Sequence, residues 1–220
     1  MLRFACLVLD HDDTAVRSTP TIHYPSFSAT LQQLRPGQSI SLQQFAELCY
    51  DPGFEPLCSR VLAFTPEEMK IQEQNWLAAV RRTRAPFWPG MVPLLARYAA
   101  AGGHICVVSH SNEDTIRQDY AAAGAPAPEL VFGWEQGPGR RKPSPWPLQQ
   151  IMARWQLAPD QLLMVDDLKP GWEMARACGV PFAAAGWGVL CDAARRDLQA
   201  RADWYLERVE QLEDLLYRRT

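Results

Sequence analysis

Residues Phe4 to Leu9 carry no polar side chain, and the run stops abruptly at Asp10-His11-Asp12-Asp13-Thr14. A strand with one face in water alternates apolar and polar residues, whereas a strand covered on both faces is apolar throughout. The same pattern recurs at Ile105-Cys106-Val107-Val108, which ends at Ser109, and at Leu162-Leu163-Met164-Val165, which ends at Asp166 and Asp167. Leu130-Val131-Phe132 is a shorter run, and Val180 to Ala184 reads as a fifth. Helical patterns separate them: Met91 to Ala101 after Pro89-Gly90, Asn112 to Ala123, Trp146 to Trp155, and Pro170 to Cys178 closed by Gly179. Buried strands alternating with helices predict an α/β fold with a Rossmann-like parallel sheet and helices on both faces. Ligands of such sheets bind beyond the carboxyl ends of the strands. Asp10, Ser109, Asp166 and Asp167 stand at that edge.

Residues 15–88 break the alternation. No buried-strand run occurs there, and Ser26 to Leu34, Leu42 to Cys49 and Pro66 to Arg84 read as helices. The last has the clearest start, with Thr65 to cap, Pro66 in the first turn and Glu68 to complete a capping box. We read 15–88 as an all-helical cap inserted into a core made of 1–14 and 89–220. The proline-rich stretch Ala85-Pro86-Phe87-Trp88-Pro89-Gly90 is its expected return hinge.

Composition narrows the setting. The 220 residues suffice for one large domain with a sizeable core. A formal net charge of −3 without a long basic run gives no nucleic-acid footprint. The six cysteines form no CxxC pair and no zinc-ligand spacing with histidine. Cys6, Cys106 and Cys178 are expected as reduced core residues, which suits a cytoplasmic protein. The apolar N-terminal run is too short for a signal peptide, and no stretch approaches a membrane span.

Taken singly, each motif has a plain structural explanation. Acids after a strand can be a solvated turn, Ser109 a helix cap, Lys142 before Pro143 a surface residue, and Asp166-Asp167 a cap for the next helix. Their occurrence together and in order carries the signal. Asp10-His11-Asp12-Asp13-Thr14 resembles the DxDxT motif of the haloacid dehalogenase-like (HAD) hydrolases. Ser109 resembles that family's second motif, Lys142 its third, and Val165-Asp166-Asp167-Leu168-Lys169-Pro170-Gly171 its acidic fourth. The insert between motifs one and two resembles the family's helical C1 caps, and Ala202 to Leu206 with the helical end its last strand and helix. The likeness runs through nearly the whole chain and is nearest the phosphoglycolate phosphatase and β-phosphoglucomutase-like branch.

The resemblance implies an Mg²⁺-dependent phosphatase acting on a small phosphorylated metabolite. A phosphoryl centre crowded by anionic oxygens needs its charge neutralised before a carboxylate attacks it. Asp10 is then the nucleophile that forms an aspartyl-phosphate. Asp12 protonates the leaving oxygen and later deprotonates water, and its backbone carbonyl is implied as a metal ligand. Ser109 donates to a phosphate oxygen, and Lys142 places a cation between Asp10 and the phosphate. Asp166 and Asp167 complete the metal shell with Asp10, Asp167 as the direct ligand. His11 and His110 are either ligands for phosphate or sugar hydroxyls or incidental loop residues. Asn112 either binds phosphate or caps the following helix, with the cap favoured. His23, Tyr24 and Phe27 either face substrate or pack at the hinge. The tryptophans read as packing, with Trp187, between two glycines, at the site rim.

Two positions depart from the family pattern. Asp13 stands where glycine is frequent, at a place where a left-handed backbone is expected and aspartate tolerates it. Gly171 stands where many relatives carry an acid, and the doubled Asp166-Asp167 is expected to compensate. A β-phosphoglucomutase-like mutase, in which a sugar hydroxyl rather than water intercepts the phosphoenzyme, is the alternative enzyme. A catalytically silent HAD-like binding protein is the alternative of another class. Asp12 argues against dehalogenation. Oligomeric state is left open.

Overall fold

The computed structural model describes residues 1–217. Six parallel strands form one sheet in the order β3-β2-β1-β4-β5-β6. They are β1 (Cys6–Leu9), β2 (His104–Val108), β3 (Leu130–Phe132), β4 (Leu162–Asp166), β5 (Phe182–Ala185) and β6 (Trp204–Leu206). The chain starts at the centre, winds to one edge through β2 and β3, then returns to build the other edge from β4. The reversal between β1 and β4 is the topological switch point at which such sheets bind ligands.

Because side chains alternate along a strand, the wholly apolar β1 supplies two cores. Leu7 and Leu9 pack on one face with residues of α5 (Met91–Ala100), α6 (Glu113–Ala122) and α10 (Val209–Leu216). Cys6 and Val8 pack on the other with α7 (Trp146–Trp155), α8 (Lys169–Cys178) and α9 (Asp192–Arg201). Helices therefore cover both faces, as the runs predict. The strand expected from Val180 starts at Phe182, because Val180 closes the turn after α8 by donating its N–H to the Ala175 carbonyl. Helix α9 was hidden in the sequence: it is strongly polar, and only Ala194 and Leu198 in it are buried.

The segment between β1 and α5 contains α1 (Tyr24–Leu34), α2 (Leu42–Leu48), the single turn α3 (Phe54–Pro56) and α4 (Pro66–Arg82). It has a small core of its own around Phe27, Leu31, Phe45, Leu57 and Phe64. Thr65 and Glu68 make the expected capping box, and Glu68 also pairs with Arg35 at 2.6 Å. The two connections to the sheet run side by side. Val16 bridges Phe87, Arg17 donates its N–H to the Pro86 carbonyl at 2.8 Å, and Trp88 donates to that of Ala15 at 3.1 Å. All six cysteines are free thiols. Among the described residues no helix is long and apolar enough to cross a membrane.

Candidate active site

The register that pairs Leu9 with Val165 sets Asp10, one residue past β1, beside Asp166, the last residue of β4. The Asp10 N–H completes the ladder on the Val165 carbonyl at 2.9 Å. Ser109 leaves β2 in the same way, bonded through its N–H to Phe132. Lys142 comes from the loop between β3 and α7 and is buried under these strand ends. Its Nζ lies 2.7 Å from Asp10 Oδ1 and 2.6 Å from Asp166 Oδ2. Burial opposes its charge, but the two carboxylates outweigh that cost and hold the ammonium protonated well beyond its ordinary range.

Carboxylates outnumber cations on this floor. Burial pushes Asp166 up to about 7 despite Lys142, with Asp10 adding repulsion. Asp167 is also raised well above the usual range, by burial and then by Asp166 and Asp10. It accepts a hydrogen bond from Thr14 Oγ1 at 3.1 Å. Carboxylate oxygens of Asp10, Asp166 and Asp167 all lie within 4.8 Å of one another. Three buried, mutually repelling carboxylates that offer only oxygen are a donor set suited to a hard divalent cation.

The structure also accounts for Gly171. A Cβ there would lie 2.2 Å from Asp166 Oδ2 and 2.5 Å from its Cβ. Asp166 fills the space that a side chain at 171 would enter, so the two positions cannot both carry an acid in this arrangement.

The loop after Asp10 is held by the indoles of Trp88 and Trp187. Asp13 adopts the expected left-handed conformation, with φ of 56°. Its carbonyl accepts from Trp88 Nε1 at 3.0 Å, and the Thr14 carbonyl accepts from Trp187 Nε1 at 3.0 Å. Gly188 abuts the same loop, where a Cβ would fall 1.9 Å from the Asp13 carbonyl oxygen. Trp187 is thus a brace behind the loop rather than a rim residue, and its place between two glycines was the available signal. The Asp13 carboxyl accepts the Thr19 N–H at 3.0 Å, and burial with the neighbouring Asp12 charge raises it to about 6.

Asp12 faces a cavity of about 840 Å³ whose floor includes Asp10, Ser109, Lys142 and Asp167. Ser111 Oγ donates to Asp12 Oδ2, and His23 Nε2 lies 3.1 Å from Oδ1. Trp76 Nε1 donates to His23 Nδ1 at 3.0 Å, which selects the tautomer that donates Nε2–H to Asp12. Burial works against the Asp12 charge, but His23 and these hydrogen bonds overcome it and hold the carboxyl below its usual range. Burial likewise opposes a charged His23, and Asp12 overrides it in the raising direction. His23, one of the residues expected just inside the insert, therefore reaches the site. Tyr24 bonds the Ile40 carbonyl and Phe27 lies in the segment's own core, so these two pack.

His11 does not line this cavity. It is 1 % exposed, faces away from the cavity, and places Nε2 3.1 Å from Asp119 Oδ2 on α6 while stacking on Tyr120. Along β1 and just beyond it, side chains alternate between faces, and position 11 falls on the α6 side. His110 does line the cavity, with Nε2 donating to the Lys142 carbonyl at 3.0 Å. Burial and then Lys142 push it below its ordinary pKa. Asn112 also lines the cavity and sits at the N-cap position of α6, but its side chain makes no cap bond. The Glu113 N–H is met by Glu135 instead, at 3.1 Å.

Comparison with known proteins agrees with this geometry. The family model described as haloacid dehalogenase-like hydrolase matches residues 7–185, from within β1 to the end of β5. A stretch of 104 residues is 30% identical to a phosphoglycolate phosphatase of Rhodospirillum rubrum, covering 47% of this chain and 43% of that protein. The match therefore spans less than half of that relative. A predicted phosphoglycolate phosphatase of Haemophilus somnus superposes with a TM-score of 0.76 at 17% identity, covering 99% of this chain and 100% of that one. A HAD family hydrolase of Deinococcus radiodurans, solved with bound phosphate and sodium, gives 0.75 at 20% identity with both chains fully covered. Identities this low speak for the shared fold alone. With the family model spanning most of its length, the chain belongs to the haloacid dehalogenase-like hydrolases.

Proposed function

We propose that this protein is an Mg²⁺-dependent phosphatase that hydrolyses a phosphate monoester through an aspartyl-phosphate on Asp10. The observation that carries the reading is the meeting of Asp10, Lys142, Asp166 and Asp167 at the switch point, with Asp10, Lys142 and Asp167 on the floor of one cavity and Asp166 buried beside them. Asp10, Asp166 and Asp167 would hold the Mg²⁺, which when bound neutralises phosphate charge as a Lewis acid.

Lys142 orients Asp10 through its 2.7 Å contact, so that a carboxylate oxygen can attack phosphorus and break its bond to the ester oxygen. The leaving oxygen takes its proton from Asp12. His23 and Ser111 favour the ionised form of Asp12, the form that takes a proton in the second step from the water that cleaves the acyl phosphate. For the first step, an arriving phosphate dianion raises the Asp12 pKa by like-charge repulsion. His23 and Ser111 hold the Asp12 carboxylate in the cavity wall for both steps. Ser109 offers its hydroxyl to a phosphate oxygen, and Asn112 is near enough to the cavity to add a second donor. Residues 15–88 would act as the cap, with the paired connections at Val16 and Phe87 as its hinge.

Hydrolysis of p-nitrophenyl phosphate by Asp10→Asn tests the reading. Turnover should vanish while the circular dichroism spectrum is unchanged. Undiminished turnover would overturn the proposed nucleophile.

A further inference from the structure

The cavity above the carboxylate floor is walled by large apolar groups from both the sheet side and the helical segment. Phe45, Tyr50 and Phe54 come from the α2–α3 region, Trp76 from α4, and Trp134 and Leu168 from loops at the strand ends. Five large hydrophobic side chains are exposed among the described residues, and three of them line this one cavity: Phe54 at 40%, Trp134 at 53% and Leu168 at 45%. Single exposed apolar residues are ordinary, but a set gathered at one concavity marks a place where an apolar ligand is covered.

The aromatic groups are also held in place. Phe54 meets Phe45 edge to face at 6.3 Å. The Trp76 indole is fixed by its bond to His23. The Trp134 ring, though half exposed, has the Arg141 guanidinium 3.4 Å over its face and the His110 ring edge-on at 6.0 Å. Rings fixed before binding lose little conformational freedom when a ligand arrives.

Charge is sparse above the floor. The walls carry Glu73 and Arg81, of opposite sign and both exposed, and the paired Asp12 and His23, while Lys142 is already shared between Asp10 and Asp166. A second anionic group on the substrate meets no cation on the cavity lining that is both buried and unpaired. A volume of about 840 Å³ falls in the range that encloses ligands of drug size.

From this wall we infer that the physiological substrate class is phosphate monoesters whose alcohol carries an aromatic ring, rather than small phosphorylated acids. The inference rests on the phosphatase reading for turnover, but not for binding. Benzyl phosphate, ethyl phosphate and 2-phosphoglycolate all leave through a primary alkyl oxygen, so comparing them isolates the wall from leaving-group chemistry. With Mg²⁺, kcat/KM for benzyl phosphate should exceed that for each of the others at least tenfold. In calorimetry, benzylphosphonate should bind at least tenfold more tightly than ethylphosphonate. Phe54→Ser and Trp134→Ser, both at exposed positions, should each lower the benzyl-to-ethyl ratio several-fold.

Equal treatment of benzyl and ethyl groups in both assays overturns the inference and leaves the phosphatase reading intact. So does a preference for 2-phosphoglycolate that Arg81→Ala abolishes. Tight benzylphosphonate binding with no turnover of any ester supports the ligand class and defeats the hydrolytic reading instead.

Discussion

Replacing Gly171 by alanine sets two effects against each other. Gly171 lies in the first turn of α8, where alanine is favoured over glycine by up to ~1 kcal/mol. On helix propensity alone the substitution stabilises. The new Cβ, however, would lie 2.2 Å from Asp166 Oδ2 and 2.5 Å from its Cβ and Cγ. Relieving this overlap requires a displacement on the order of 1 Å, because unstrained carbon contacts begin near 3.5 Å. Asp166 is fully buried, held by Lys142 at 2.6 Å and by the Leu168 N–H at 2.8 Å. Overpacking a tight site costs ~1–3 kcal/mol, and weakening a hydrogen bond to a charged group costs about 1.5–3 kcal/mol. Sterics therefore win, with a net loss of roughly 2–4 kcal/mol. For a chain of this size that corresponds to a Tm lower by about 5–15 °C. Thermal unfolding in metal-free buffer, followed by circular dichroism, measures it. The exchange variant Asp166→Gly/Gly171→Asp, which moves the acid across the gap, should recover stability and turnover relative to Gly171→Ala. A Gly171→Ala protein that melts at or above the wild-type temperature would refute the packing argument.

Millimolar Mg²⁺ should raise the Tm of the wild type, since a ligand that binds only the folded chain stabilises it by mass action; EDTA should reverse the shift, and Asp167→Asn should abolish it. Trp187→Phe removes the donor to the Thr14 carbonyl, so it should cost about 1–3 kcal/mol and reduce kcat more than it changes KM. The pH dependence has a defined sign. Asp13 titrates at about 6 and Asp166 at about 7 in the folded chain, against ~3.9 when unfolded. Between those limits the folded state holds more protons, so urea stability without metal should fall as pH rises from about 4 towards 7. Asp13→Asn should flatten the slope, and a midpoint that climbs across that window would contradict the burial of these groups.

The fold was legible because its strands are apolar on both faces and end in polar residues, a pattern that fixes sheet type, strand ends and site together. That Asp10, Asp12, Ser109, Lys142 and Asp167 meet at one cavity could be read because each sits at a strand end or in the loop beside one. The rest needed three dimensions. His11 adjoins Asp10 in sequence, yet its side chain belongs to the opposite face. Ser111 gave no sign that it would reach Asp12, and the indole bonds of Trp88 and Trp187 join residues far apart in the chain. Helix α9 was missed because its few buried residues leave too faint a period among its charges. The meaning of Gly171 emerged only when the space beside it proved to be filled by Asp166.

The buried Asp119 carries a mechanical consequence. It contacts His11 at 3.1 Å and Arg84 at 3.3 Å, so one carboxylate on α6 touches both the neighbour of Asp10 and the strand of chain returning from α4. Movement of the helical segment about its two connections would pull on Arg84 first. This route reaches the residue next to Asp10 from behind the sheet, apart from the His23–Asp12 contact inside the cavity. Asp119→Ala should therefore remove the link between Arg84 and His11 while the His23–Asp12 contact and the floor remain assembled.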